Sequence, residues 1–156
     1  MKRSYQPEIM DDFSIQDERI DEALSELKII NKFLGGISTT KSALSYFFQS
    51  KKNELKIVDV GSGSSDNLLA AKSKYPNLKI ISIDKNLRAL SGSENLLEKI
   101  NSNAFKLPFK NNSCDIVYSA LFLHHFTEEE LHFLLKEFLR TARKGIIIND
   151  LQRSYF

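Results

Sequence analysis

The chain has 156 residues, of which 42% are hydrophobic and 27% charged, with a formal net charge of +2. This length suits one domain that buries roughly 70% of its unfolded surface, and the small, dispersed charge does not favour a nucleic-acid partner. The amino terminus lacks an apolar signal segment, and no apolar run approaches the roughly 20 residues of a membrane-spanning helix. We therefore predict a cytoplasmic protein without membrane insertion, in which the single cysteine, Cys114, is a buried spectator.

Two helices are predicted ahead of the first strand, after a polar lead-in over residues 1–16. Apolar residues recur at helical spacing from Asp17 to Leu34, and Gly35-Gly36 is expected to end this helix. A shorter helix follows, with Leu44 and its apolar neighbours on the buried face. Residues 1–52 are thus expected to form a lead-in and cap that covers a ligand.

From residue 53 onward, strands alternate with helices. The predicted strands are Ile57–Val60, Leu78–Ile83, Glu98–Ser102, Asp115–Ser119 and Ile146–Asn149. This alternation predicts crossover connections, a mostly parallel sheet and a doubly wound α/β fold with five strands.

Three helices are predicted between these strands. The first is Asp66–Lys74, with Asp66 as its N-cap, and the second starts near Asn86 with Leu87 and Leu90 facing inward. The third opens with the capping-box pair Thr127 and Glu130 and is expected to end at Lys144-Gly145. Its predicted core stripe is Phe133, Leu134 and Phe138.

The turn after the first strand is the most informative segment. The strand ends at Asp59-Val60, and Gly61-Ser62-Gly63 leads into a helix. Glycine tolerates positive φ and lets the backbone approach a ligand, which the free N–H groups of a helix start then face. The next strand ends in Asp84, where an acid suits the two hydroxyls of a ribose. These features predict a nucleoside-type cofactor.

Two common cofactor motifs do not match this turn. Asp66 stands where a dinucleotide fingerprint needs its third glycine, and a carboxylate there would repel a pyrophosphate. The turn also lacks the Gly-Lys-Ser/Thr ending of a P-loop. NAD and FAD therefore fit poorly, and a P-loop is excluded.

Four motifs in order resemble those of the S-adenosylmethionine (SAM)-dependent methyltransferases of the seven-stranded, Rossmann-like class. Asp59–Gly63 resembles the acid, any residue, Gly-x-Gly turn, and Asn103–Phe109 resembles the Asp-Ala-x-x-Leu-Pro-Phe segment. Cys114–Ser119 resembles the Phe-Asp-x-Val fourth strand. Leu121–Phe126 resembles the Leu-His-His-Phe signature of the subgroup related to ubiquinone and menaquinone methyltransferases. The resemblance covers residues 56–150 and implies SAM as the cofactor.

The resemblance also implies roles for particular residues. Asp84 would accept hydrogen bonds from both ribose hydroxyls, and Asn103 from the adenine amino group. The implied cofactor-binding residues are Asp59, Gly61, Ser62, Gly63, Asp84, Lys85, Asn103, Ala104 and Ser119. Two positions depart from the family pattern, because Ser64 or Ser65 replaces a third glycine and Asn103 replaces an aspartate.

The adjacent His124 and His125 have several interpretations. A metal site is disfavoured because neighbouring residues rarely present both rings to one ion, so no metal is predicted. A histidine suits general-base catalysis on a hydroxyl acceptor, for which His124 is the favoured catalytic residue. Otherwise the pair packs near the start of the third helix.

The resemblance implies a methyltransferase that acts on a small-molecule acceptor; the alternative is a non-catalytic SAM-binding or scaffold module. The family sheet has seven strands, so residues 53–156 are expected to lack the last strands. Truncation is the favoured explanation, beside a naturally short chain or a partner that supplies the edge. Ile146-Ile147-Ile148 would then form an exposed edge strand through which a homodimer can assemble.

Overall fold

The computed structural model describes residues 17–33, 35–48, 54–91 and 98–151, so the predicted lead-in over residues 1–16 lies outside the described residues. The strands are β1 (Leu55–Val60), β2 (Leu78–Asp84), β3 (Glu98–Asn101), β4 (Cys114–Ala120) and β5 (Ala142–Asn149). The helices are α1 (Glu18–Phe33), α2 (Gly36–Ser45), α3 (Asp66–Ala71), α4 (Leu87–Ser91) and α5 (Glu128–Thr141). None of these helices is long and apolar enough to span a bilayer.

The five strands form one open, parallel sheet in the order β3-β2-β1-β4-β5. Strands β2 and β3 lie on one side of β1, and β4 and β5, which come later in the chain, lie on its other side. The strand order therefore reverses between β1 and β4. In open α/β sheets, ligands bind outside the carboxyl ends of the strands at such a reversal. The predicted doubly wound fold is confirmed.

Helices cover both faces of the central strands. Side chains alternate between the two faces of a strand, so Ile57 packs in one cluster with Leu44 of α2 and Leu68 of α3. Its neighbour Val58 packs on the other face with Leu134 of α5. Burial on both sides explains why the sequence of β1 is a nearly continuous apolar run.

Helix α1 packs beside the sheet's carboxyl edge. Ile20 and Leu24 form a third cluster with Ala89 of α4, and Arg88 of α4 pairs with Asp21 at 2.6 Å. These contacts place α1 next to the turn that follows β1.

The capping box of α5 is confirmed, but the predicted end of this helix is wrong. The Thr127 hydroxyl accepts from the Glu130 amide at 3.3 Å, and the Glu130 carboxylate accepts from the Thr127 amide at 2.8 Å. The helix ends at Thr141, ahead of Lys144-Gly145, and β5 begins at once with Ala142.

A turn elsewhere in the chain satisfies this helix end without a glycine. The amides of Asn112 and Ser113, just before β4, donate to the carbonyls of Arg140 and Thr141 at 2.9 and 3.0 Å. The usual glycine cap is unnecessary because these last carbonyls already have partners.

Four smaller predictions are also wrong. Helix α3 ends at Ala71 and its N-cap is Ser65, while Asp66 pairs with Lys28 at 3.1 Å. Leu87 is 61% exposed because it occupies the first position of a five-residue helix, whose buried residues are Ala89 and Leu90. Phe133 is 55% exposed, whereas Leu134 and Phe138 are buried as predicted.

Candidate functional site

Two cavities lie side by side at the carboxyl ends of β1, β2 and β4. The first, of about 70 Å³, lies between the turn after β1, Tyr118 of β4 and Leu24 of α1. The second, of about 200 Å³, is lined by Asp84 and Lys85 and by the Asn103–Phe105 segment. Gly61 and Leu121 line both cavities, so one elongated ligand would cross the turn between them.

The turn after β1 needs glycine at its first position for two reasons. Gly61 has a φ of 65°, in the left-handed region that favours glycine. A Cβ atom there would also overlap the ring of Phe122, which packs on Gly61 where the two cavities meet. The Ser62 amide donates to the Ile83 carbonyl at 3.0 Å and thereby ties the turn to β2.

Ser65, one of the two serines that can stand for the family's third glycine, has a positive φ of 58°. Its hydroxyl shares a hydrogen bond of 2.7 Å with the Ser82 hydroxyl and also bonds the Asp59 carboxyl. These buried partners compensate for the strain of a left-handed serine.

Asp84 connects the turn to the second cavity. Its carboxylate accepts hydrogen bonds from the Gly63 amide at 2.9 Å and the Asn86 amide at 2.8 Å. Burial raises the pKa of Asp84, and these amides together with that of Lys85 oppose the rise. The carboxyl group therefore stands at the tip of β2, against the glycine turn, as the sequence predicts.

Asp59 is a buried acid under the first cavity. Burial raises its pKa to about 8, the hydrogen bond from Ser65 opposes this, and the nearby charge of Asp84 adds to it. Near neutral pH this carboxyl is therefore mostly protonated, and an adjacent cation would favour its ionised form.

The Asn103–Phe105 segment forms the far wall of the second cavity. The Asn103 side-chain oxygen accepts from the Phe105 amide at 3.0 Å, and Ala104 is buried behind it. An amide oxygen has two lone pairs, so Asn103 retains capacity for a ligand N–H. The Phe105 ring meets Phe126 edge-on at 5.5 Å and closes one side of the wall.

A guanidinium fork holds the loop that follows this segment. Arg140 of α5 pairs bidentately with Glu137, at 2.7 Å for both bonds. Arg140 also donates to the Phe109 carbonyl at 2.8 Å, and Glu137 accepts from the Leu107 amide at 2.7 Å. Helix α5 thus fixes one wall of the second cavity without lining it.

Ser119 lies below the site and lines neither cavity. Its hydroxyl is buried and donates to the Val60 carbonyl at 3.0 Å, which ties β4 to β1 beneath the turn.

His124 lines neither cavity, whereas His125 lies in the lining of the second one. Asp150, just after β5, lies 2.7 Å from His124 Nδ1 and accepts from the Leu123 amide. Burial opposes ionisation of Asp150, but the hydrogen bonds from His124 and the backbone outweigh it and lower the pKa. The two histidine rings lie 4.1 Å apart.

Sequence reasoning missed four residues of this region. Asp150 carries a signal that was available, because an acid after a strand is the same pattern that singled out Asp84. Phe122, Asn67 and Tyr118 carry none, because their roles depend on contacts with residues far away in sequence. Among the described side chains, no group of three or more His, Cys, Asp or Glu residues is arranged to hold a metal ion.

A glycine turn after β1, an acid at the tip of β2 and a reversal of strand order between β1 and β4 define a Rossmann-like domain. The model of the methyltransferase domain family matches residues 58–148, and the chain belongs to this family. No curated protein sequence matches the chain.

Solved structures share the fold at low sequence identity. Human N-acetylserotonin methyltransferase, determined with SAM, has a TM-score of 0.67 and 20% identity over 87% of this chain and 39% of its own. A SAM-dependent methyltransferase from Aquifex aeolicus has a TM-score of 0.52 and 23% identity over 67% of this chain and 58% of its own. One from Archaeoglobus fulgidus has a TM-score of 0.55 and 20% identity over 74% of this chain and 52% of its own. The chain thus spans roughly half the length of such structures.

Proposed function

We propose that this chain binds SAM across the two cavities, and that the whole protein transfers its methyl group to a small-molecule acceptor. The family match supports methyl transfer, and the neighbour determined with SAM supports this cofactor. The non-catalytic alternative is not favoured, because the family match and the similar solved structures point to methyl transfer.

The position of Asp84 is the observation that carries the proposal. A carboxylate has about four lone-pair sites, so the bonds from the Gly63, Asn86 and Lys85 amides leave capacity for a ribose hydroxyl. The second cavity on this side of the turn would hold the adenosine, with Ala104 against the base and Asn103 near its amino group.

The first cavity suits the other end of the same molecule. Among the described residues, the carboxyl groups in its lining are those of Asp59 and Asp66, a set that disfavours phosphates and suits a cation. SAM has no phosphate, and it supplies an electrophilic methyl group on a positively charged sulfonium. Gly61 and Gly63 would let the backbone contact the chain that joins the two halves.

The acceptor is proposed to be a hydroxyl compound, because a histidine suits the removal of a hydroxyl proton. His124 would take the hydroxyl proton as the acceptor oxygen gains the methyl group. The contact between Asp150 and Nδ1 supports this role, because a carboxylate there fixes the ring and favours a basic Nε2. His125 lines the second cavity, so a variant of His125 serves as the comparison for a variant of His124.

Calorimetric titration with S-adenosylhomocysteine tests the cofactor site. We expect Asp84→Asn to weaken binding by about tenfold or more, because a charged acceptor is lost. Asp115→Asn is the matched control, since Asp115 is also buried and accepts the Lys56 amide at 2.9 Å, but lies at the amino end of the sheet. Equal losses in both variants, or no binding by the wild type, would contradict the proposal.

A further inference from the structure

Asn67, at the start of α3, has a buried side-chain oxygen without a hydrogen-bond partner. The residue is 5% exposed and lines the first cavity, and no group in the described part of the chain contacts its Oδ1 within hydrogen-bond distance. An unsatisfied buried acceptor carries a free-energy penalty, so such an atom marks a place where a missing donor would bind.

The neighbouring hydrogen bonds fix which way the Asn67 amide faces. The Thr40 hydroxyl donates to the Gly36 carbonyl at 2.8 Å, so its proton is already committed. Tyr118 Oη lies 2.7 Å from that hydroxyl and must therefore donate to it. Burial raises the pKa of Tyr118 to about 12, so the phenol keeps this proton at neutral pH.

Tyr118 can then only accept from Asn67. The Asn67 side chain lies beside the phenol and lowers the pKa of Tyr118, as a donor does, and the amide nitrogen is its only donor. The nitrogen must face Tyr118, and Oδ1 is therefore the amide atom left for a ligand. Buried contacts with the sheet thus preset Asn67 as an acceptor.

The surroundings of Asn67 favour a cationic donor. Its neighbours in the cavity lining are Asp59 and Asp66, and among the described residues the lining contains no lysine, arginine or histidine side chain. Lys28 already neutralises Asp66 at 3.1 Å. The Asn67 oxygen and the Asp59 carboxyl therefore remain available as acceptors. A primary ammonium group has three donors and can bond both of them.

We propose that Asn67 is a specificity-determining residue that accepts a hydrogen bond from the α-ammonium group of the cofactor's methionine moiety. It thereby distinguishes nucleosides that carry an amino-acid chain from those that do not. This inference rests on the proposed cofactor site.

Binding of two ligands to the wild type and to Asn67→Leu tests the inference. S-adenosylhomocysteine carries the ammonium, whereas 5′-methylthioadenosine has the same adenosine and thioether without the amino acid. We expect Asn67→Leu to weaken S-adenosylhomocysteine by about tenfold or more, because a charge-assisted bond is lost. Binding of 5′-methylthioadenosine should stay unchanged.

Two further variants separate recognition from folding effects. Asn149→Leu is the matched control, because the Asn149 amide donates to the Thr40 hydroxyl at 3.4 Å in the same network but lines neither cavity. It should leave the preference between the two ligands intact. Tyr118→Phe keeps Asn67 but removes the acceptor that orients it, and should reduce the preference less than Asn67→Leu does.

The outcomes distinguish this inference from the proposed function. If Asn67→Leu leaves S-adenosylhomocysteine binding unchanged or weakens both ligands equally, a water satisfies Oδ1 and the inference is wrong. If the wild type binds 5′-methylthioadenosine equally well, the ammonium has no site and the inference also fails, although the adenosine site stands. If neither ligand binds, the proposed function itself fails.

Discussion

Asp59 is a buried ionisable residue, so the stability of the protein depends on whether its carboxyl is protonated. A carboxyl with a raised pKa in the folded state binds its proton more tightly than in the unfolded state. Such a group contributes stability that is complete below its unfolded pKa of 3.8 and is lost as the pH rises through about 8. The groups that face it are the Ser65 hydroxyl, Asp84 and the Tyr118 phenol.

We predict that the free energy of unfolding of the wild type falls between pH 5 and pH 8, by up to about 1.4 kcal/mol per pH unit. Asp59→Asn should remove most of this slope, because the amide does not ionise. Urea unfolding at several pH values measures it. Asp115→Asn is the control: hydrogen bonds outweigh burial and lower the pKa of Asp115, so its loss should not reduce the slope. A slope that persists in Asp59→Asn would contradict the account.

Gly61 is restrained both by its backbone angle and by the ring of Phe122. Gly35 also has a positive φ, of 88°, but a Cβ atom added there would meet only the Ser38 hydroxyl, at 3.4 Å. A substitution at Gly35 therefore measures the cost of the backbone angle alone.

Gly35→Ala should therefore destabilise by about 1–2 kcal/mol, and Gly61→Ala by about 1–3 kcal/mol more through overpacking. Thermal or urea unfolding measures both. In the Phe122→Ala background the extra cost of Gly61→Ala should disappear. If the extra cost persists there, the ring contact is not its source.

At the scale of elements, α5 stabilises a cavity wall that it does not line. The Arg140 fork connects Glu137 to the loop carbonyls of Leu107 and Phe109. A lysine keeps the charge but has no planar fork for this set of acceptors.

Arg140→Lys should lower stability by about 1–3 kcal/mol and also weaken S-adenosylhomocysteine binding. Arg143→Lys is the matched control, because Arg143 donates two bonds to Asp115, at 2.9 and 3.0 Å, at the other end of the sheet. It should leave the affinity unchanged. Calorimetry measures the affinity of each variant, and urea unfolding measures its stability. An equal loss of affinity in both variants would show that Arg140 does not act through the cavity wall.

The elements that the sequence predicts well are those with local signals. Thr127 and Glu130 form their capping box from four consecutive residues, and Asp59 through Gly63 needs only its own residue types to be identified as a turn. The end of α5 is different, because its carbonyls find donors in Asn112 and Ser113, which lie far away in sequence. For the same reason, no pattern shows that Phe122 fills the space over Gly61.

At the scale of the molecule, β5 is an edge of the sheet. It pairs with β4, and within residues 98–151 and the other described ranges no strand lies on its far side. Ile148 on this strand is 42% exposed. An unpaired apolar edge is a template for a second strand.

We predict self-association through this edge, measured by sedimentation equilibrium over a range of protein concentrations. Ile148→Lys should shift the protein toward the monomer, because a charge on an edge strand opposes pairing. Leu139→Lys is the matched control, since Leu139 is 58% exposed on α5, away from the edge. A monomer at every concentration, or an equal effect of both lysines, would contradict a dimer through β5.

The central claim is that one nucleoside cofactor lies across the turn between the two cavities. The most direct measurement is the change in backbone amide chemical shifts when S-adenosylhomocysteine is added to the labelled protein. We expect shifts at Gly63, at Lys85 beside Asp84, and at Ala104, with none at Lys56 and Asp115 at the amino ends of the strands. Shifts confined to those amino ends, or no shifts at saturating ligand, would contradict it.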